Sequence, residues 1–134
     1  MPDDNVTIVR QLFAAWQAND DEAGRALLHP DIEWHPAADE PETGTLHGIA
    51  AVESLLDQWV EAFDALRVEP REFISAGDRV VVPLRVSGRL RGSDSEVAIE
   101  ETHVYRIRGG KVAEVWDFRT TDEALAAAGL PTPD

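Results

Sequence analysis

The run Thr102–Asp117, T-H-V-Y-R-I-R-G-G-K-V-A-E-V-W-D, constrains this chain more than any other stretch of it. Two arms rich in Val, Ile, Tyr and Trp flank Gly109-Gly110, and a glycine pair supplies the positive-φ positions of a tight hairpin turn. His103 and Asp117 stand near the open ends of the two arms. Side chains alternate faces along a strand, so the turn decides whether these two titratable groups share a face. With a strict two-residue loop at Gly109-Gly110, His103 faces Trp116 and Asp117 points the other way. A three-residue loop with a glycine bulge puts His103 and Asp117 on one side. We expect the second outcome, an odd-length loop or bulge around residues 108–111.

Upstream, the spacing predicts helices. Val9, Leu12, Phe13 and Trp16 form one apolar stripe on a first helix over 4–18, with Asp3 or Asp4 as its cap. Asn19-Asp20-Asp21 opens a second helix over 21–28. Ile32–His35 reads as a brief strand stopped by Pro36, and residues 37–47 as a mobile acidic loop. A third helix over 48–65 carries Ile49, Val52, Leu56, Trp59 and Phe63 at steps of three or four. Strands are expected at 67–76, 79–90, 96–107 and 111–119, then a short helix over 121–129. Helices first, then hairpin-connected strands, argue for an α+β fold: a conical, curved antiparallel sheet with the three N-terminal-half helices on its concave face around a pocket.

The 134 residues fit a single domain, 1–134. No apolar run reaches the roughly 18 residues that span a bilayer, and the start M-P-D-D-N lacks the regions of a signal peptide. The expected compartment is the cytoplasm, with which the absence of cysteine agrees. A formal charge of −14 argues against nucleic-acid and membrane-surface partners. The four histidines are scattered, none at i, i+4 on a helix and none in H-E-x-x-H, so no metal site is expected. No phosphate loop or dinucleotide fingerprint is present, and no cofactor is expected.

W-H-P at 34–36, G-T-L-H-G at 44–48 opening a long helix, G-D-R-V-V-V at 77–82 and H-V-Y-R-I-R-G-G-K-V at 103–112 together resemble the nuclear transport factor 2-like (cystatin-like) superfamily. Within it, the pattern is similar to the SnoaL-like polyketide cyclase and ketosteroid isomerase-like group, over residues 5–130. That resemblance speaks strongly for fold and weakly for reaction, because the fold hosts many functions. It implies a small pocket protein, in a group with catalytic members and members that only bind a ligand.

In SnoaL-type cyclases a histidine on this strand and an aspartate on the next line the pocket, the aspartate acting as acid/base; His103 and Asp117 match them. Read from the residues alone, a carboxylate facing an imidazole in an apolar cavity is an acid/base pair, and a histidine satisfied inside the sheet is the plainer alternative. His35 precedes a proline where ketosteroid isomerases place their catalytic aspartate, and it is expected either to orient substrate or to act as a base. Helix one lacks the tyrosine of that enzyme's oxyanion hole, and Glu101-x-His103 departs from the Asp-Arg-Asp set of limonene-epoxide hydrolases. Glu101 shares the face of His103 and can orient the imidazole; the more ordinary reading is a solvated glutamate at a strand edge. Phe13, Trp16, Trp34, Trp59, Phe63 and Tyr105 are core candidates that also suit a flat apolar or aromatic ligand. The expected activity is cofactor-independent proton transfer on an apolar carbonyl compound, by isomerisation, cyclisation or dehydration. The alternative is a non-catalytic ligand-binding or dimerisation module. An apolar convex sheet face, with Val80–Val82 and Trp116 or Val115, leads us to expect a two-fold homodimer, as the resemblance also implies.

Overall fold

The structure, a computed structural model, describes residues 2–36 and 44–129. Helices α1 (Pro2–Gln17) and α2 (Asp21–Ala26) lead into strand β1 (Leu28–His35). A two-residue strand β2 (Leu46–His47) precedes α3 (Ile49–Ala62), and β3 (Phe63–Pro70), β4 (Ile74–Ala76), β5 (Arg79–Leu90), β6 (Glu96–Arg108) and β7 (Lys111–Phe118) follow, closed by α4 (Thr121–Ala127). Most of the acidic loop expected at 37–47 lies outside the described residues; its last two residues form β2. The strand expected over 67–76 is two strands. α3 stops at Ala62 instead of residue 65, so β3 begins at Phe63, and Pro70 ends it because proline has no N–H to give to the ladder. Among the described residues no helix is long and apolar enough to cross a membrane.

The sheet runs in the order β2-β1-β7-β6-β5-β3, with β4 also paired to β5. All pairings are antiparallel except one. β1 lies parallel to β7, with Trp34 opposite Val115 and His35 opposite Trp116, which corrects the all-antiparallel sheet expected above. The two strands are far apart in the chain and joined through α3 and the whole meander, so no hairpin forces them antiparallel.

The turn between β6 and β7 is the strict two-residue kind. Arg108 pairs with Lys111 around Gly109 and Gly110, whose φ values are 61° and 76°, the conformation that favours glycine at both centres of a type I′ turn. Ile107 then pairs with Val112 but Arg106 with Glu114, so Ala113 is an extra residue in β7. This bulge restores the parity that the turn would have spoiled, and His103 pairs with Asp117. The expected bulge exists, and it sits beyond the turn.

Two apolar layers hold the sheet. On the concave side Val9, Leu12 and Phe13 of α1 and Val52 of α3 are fully buried against Ile32, Trp34, Val80, Val82, Leu84, Tyr105 and Val115. Each such side chain contributes about 1.5–3 kcal/mol of transfer free energy. Phe13 sits edge-to-face on Tyr105 and Phe73, with centroids 5.8 and 5.9 Å apart. Gly88 lets the start of β3 come close: a Cβ there would lie 3.3 Å from Phe63 and 3.4 Å from the Leu66 backbone. On the convex side α4 lays Ala124 and Leu125 over Val81 and Val104. The convex face is therefore covered at β5–β6, and the bare apolar patch expected there is absent among the described residues; the exposed large hydrophobics are Val60 and Leu90.

Candidate functional site

Between the helices and the concave face lies an open cavity of about 710 Å³, within the range that small-molecule sites occupy. Its chemistry is concentrated on β6 and β7. Alternation along β6 points Glu101, His103 and Tyr105 the same way, and the register of β7 sets Asp117 opposite His103. His103 Nε2 lies 3.0 Å from Glu101 Oε1 and 3.0 Å from Asp117 Oδ1. Its Nδ1 lies 2.7 Å from the Tyr105 hydroxyl. Trp34, arriving on β1, donates its indole N–H to Asp117 Oδ2 at 3.1 Å, and its ring meets the imidazole edge-on at 5.6 Å. All of this is out of water: the side chains of His103, Glu101 and Asp117 are 7, 11 and 16% exposed.

Electrostatics follow from that geometry. Burial works against a charge on His103, but the carboxylates of Asp117 and Glu101 outweigh it, and the imidazole pKa is raised. Burial, reinforced by the same two carboxylates, pushes the Tyr105 hydroxyl well above its ordinary value, so it keeps its proton. The hydroxyl can donate to an unprotonated Nδ1 or accept from a protonated one, since its hydrogen rotates. The ring can gain or lose a proton with every heavy atom in place. Its single Nε2–H faces two carboxylate oxygens and satisfies one at a time.

The walls mix apolar and polar side chains. Trp16 and Trp59 from the helices, with Phe63, Leu66, Val68 and Leu84 from β3 and β5, line the cavity. Among the charged residues of the lining, Arg25 pairs with Glu53 at 2.9 Å and Arg91 with Asp64 at 3.7 Å. Such exposed pairs add little stability.

Of the expected residues, His103, Asp117, Glu101, Trp16, Trp34, Trp59 and Phe63 line this cavity. Phe13 and Tyr105 stand behind it, fully buried in the core. Glu101 is not the solvated edge glutamate that was the more ordinary reading; its buried carboxylate is a direct partner of His103. His35 departs most from expectation. Trp34 faces the cavity, so its neighbour on β1 must face the convex side, where His35 stacks on Trp116 at 5.2 Å and bonds Glu114. It meets neither His103 nor Asp117. Sequence reasoning missed Leu66, Val68, Leu84 and Val86, whose signal was the alternation of apolar residues along β3 and β5. It also missed the hydrogen bond from Trp34, which depends on the long-range pairing of β1 with β7.

A family model described as the SnoaL-like domain matches residues 9–115. The chain belongs to the SnoaL-like domain family. Solved structures agree in fold. TerC, co-crystallised with polyporic acid, is 27% identical over 94% of this chain and 98% of its own, with a TM-score of 0.74. An NTF2-like protein from Burkholderia xenovorans LB400 is 30% identical over 94% and 95% of the two chains, with a TM-score of 0.72. A candidate polyketide cyclase from Sinorhizobium meliloti is 25% identical over 83% and 93%, with a TM-score of 0.68. No curated protein sequence matches significantly. This SnoaL-like chain thus places a carboxylate–imidazole–carboxylate trio in the pocket of its fold.

Proposed function

We propose that this SnoaL-like protein is a cofactor-independent, cytoplasmic enzyme that moves a proton on an apolar carbonyl compound. The observation that carries this reading is the position of His103 Nε2, 3.0 Å from both Glu101 and Asp117 on the floor of an apolar cavity. The likeness to a candidate polyketide cyclase supports it, as does a relative that was crystallised with polyporic acid.

Asp117 is the acid/base. Its Oδ2 is fixed by the Trp34 N–H, and its Oδ1 faces the imidazole. The carboxylate takes the proton α to the carbonyl: the C–H bond breaks, an O–H bond forms, and the electron pair moves into an enolate. The charge of a protonated His103 offsets the developing enolate in a site where water does not screen it. Returning the proton from Asp117 to a different carbon isomerises the substrate; attack of the enolate on a second carbonyl cyclises it, the new alkoxide taking that proton; loss of a β-hydroxyl dehydrates it, the hydroxyl taking that proton and leaving as water. Glu101 holds the imidazole in place and supplies the second carboxylate that favours its charged form. His35, on the other face, takes no part.

The test needs no natural substrate. Polycyclic ketones incubated with the protein in D2O should exchange their α-protons, followed by NMR. Asp117→Asn keeps shape and hydrogen bonding but cannot exchange a proton near neutral pH, and should cut the exchange rate about a hundredfold or more with folding nearly unchanged. Ketones that bind but do not exchange would identify a binding module instead. The homodimer belongs to this proposal through the family resemblance, not through an apolar face. Sedimentation at micromolar concentration should give twice the chain mass, and a monomer would remove it.

A further inference from the structure

The convex face carries a second imidazole between carboxylates. Parallel pairing of β1 with β7 sets Glu33 opposite Glu114, and antiparallel pairing with β2 sets Glu33 opposite His47. Glu33, His35 and Glu114 each offer a donor atom, all within 4.8 Å of one another. We propose that these three side chains, with His47 as a fourth donor, bind a divalent transition-metal cation of the zinc class.

Distances support it. Zinc bonds near 2.0–2.2 Å put tetrahedral donors roughly 3.3–3.5 Å apart. His35 Nε2 lies 3.0 Å from Glu114 Oε2 and 3.6 Å from Glu33 Oε2, which brackets that edge. His47 Nδ1 is 3.9 Å from Glu33 Oε1, so the half-exposed carboxylate and the exposed imidazole need only a small swing to converge.

Support behind the donors points the same way. His35 Nδ1 lies 3.1 Å from the Thr45 hydroxyl, and its ring plane is fixed by stacking on Trp116 at 15°. In the tautomer whose Nδ1–H donates to Thr45, Nε2 presents its lone pair to the two carboxylate oxygens, and a partner on the far ring nitrogen is how ligating histidines are oriented. Arg106 holds the other oxygen of Glu114, through Nε at 2.7 Å and a terminal nitrogen at 2.6 Å, and leaves Oε2 facing His35. Two carboxylates against one guanidinium leave the cluster short of positive charge. Two imidazoles and two carboxylates are a donor set suited to zinc, with magnesium and calcium preferring oxygen alone.

The test is calorimetric titration of Zn2+ into tag-free protein stripped with a chelator, with visible absorption of the Co2+ form as an independent readout. Wild type should bind one equivalent and show tetrahedral Co2+ absorption. His35→Ala and Glu33→Gln should each weaken Zn2+ at least about tenfold, and His29→Ala, remote from the cluster, should change nothing. Circular dichroism in chelator checks that each variant is folded, and half-exposed Glu33 makes Glu33→Gln safe if His35→Ala is not. Absence of saturable Zn2+ binding below millimolar would overturn the proposal. So would wild-type affinity in folded Glu33→Gln and His35→Ala. Proton exchange on ketones is a separate measurement, so either reading can fail alone.

Discussion

The two faces of this sheet hold nearly the same chemical groups and make different things of them. On the concave side His103 lies between Glu101 and Asp117; on the convex side His35 lies between Glu33 and Glu114. Both imidazoles have a hydroxyl at Nδ1, from Tyr105 and Thr45. Water is what separates them. The His103 side chain is 7% exposed and faces an apolar cavity, whereas His35 is 25% exposed and Arg106 neutralises one of its carboxylates. In the dry site the charges of the trio act on one another with little screening by water, which is what the proposed proton transfer draws on. In the wetter one the carboxylates stay accessible to a cation from solution. Residue types alone do not assign a role; the face of the strand does.

The largest difference between the faces should appear in stability. Removing His103 leaves two buried carboxylates with no cation, and breaking such a group costs about 3–5 kcal/mol. His35→Ala removes a stacked ring from a partly solvated ion-pair cluster and should cost about 1 kcal/mol. Urea unfolding of His103→Ala and His35→Ala in chelator-containing buffer measures both. Equal losses would mean that burial does not distinguish the two clusters.

Much of this architecture was legible. The apolar stripes of α1 and α3, the Gly109-Gly110 turn and the order of the strands follow from local periodicity and turn chemistry. The parity of the hairpin did not, because the decisive residue is Ala113, which has no local signature as a bulge. Nor did the β1–β7 pairing, a contact between strands about 80 residues apart. That one pairing brings Trp34 to Asp117 and His35 to Glu114. His35 was expected in the cavity from its place before Pro36, which says nothing of its face; the pairing sets that face opposite Trp116. Glu101 was readable as a partner of His103 from their spacing, but its burial depends on the helices above it.

A smaller effect is expected in turnover. His103→Gln keeps a hydrogen-bonding side chain beside Asp117 but loses the charge that offsets an enolate. It should slow α-proton exchange about tenfold, less than Asp117→Asn, whereas Glu33→Gln on the far face should leave the rate unchanged. NMR exchange rates for the three variants decide it. A slower Glu33→Gln would show that the faces are coupled through β1.

The subtlest contrast is in the pH dependence of folding. Asp117 and Glu101 outweigh burial and raise the folded-state pKa of His103 above its unfolded value. A group raised in this way binds its proton more tightly when folded, so the extra stability is fully present below the unfolded value, near 6.5. It is lost as the pH rises through the higher folded-state value. Wild-type unfolding free energy, measured in urea with chelator from pH 6 to pH 9, should therefore decline towards the alkaline end. Glu101→Gln removes one of the two carboxylates that raise the imidazole and should flatten that decline. Glu33→Gln, on the solvated face, should leave it as it is. A wild-type curve that rises over this interval would mean that burial wins over the carboxylates, and that the trio rests with a neutral imidazole.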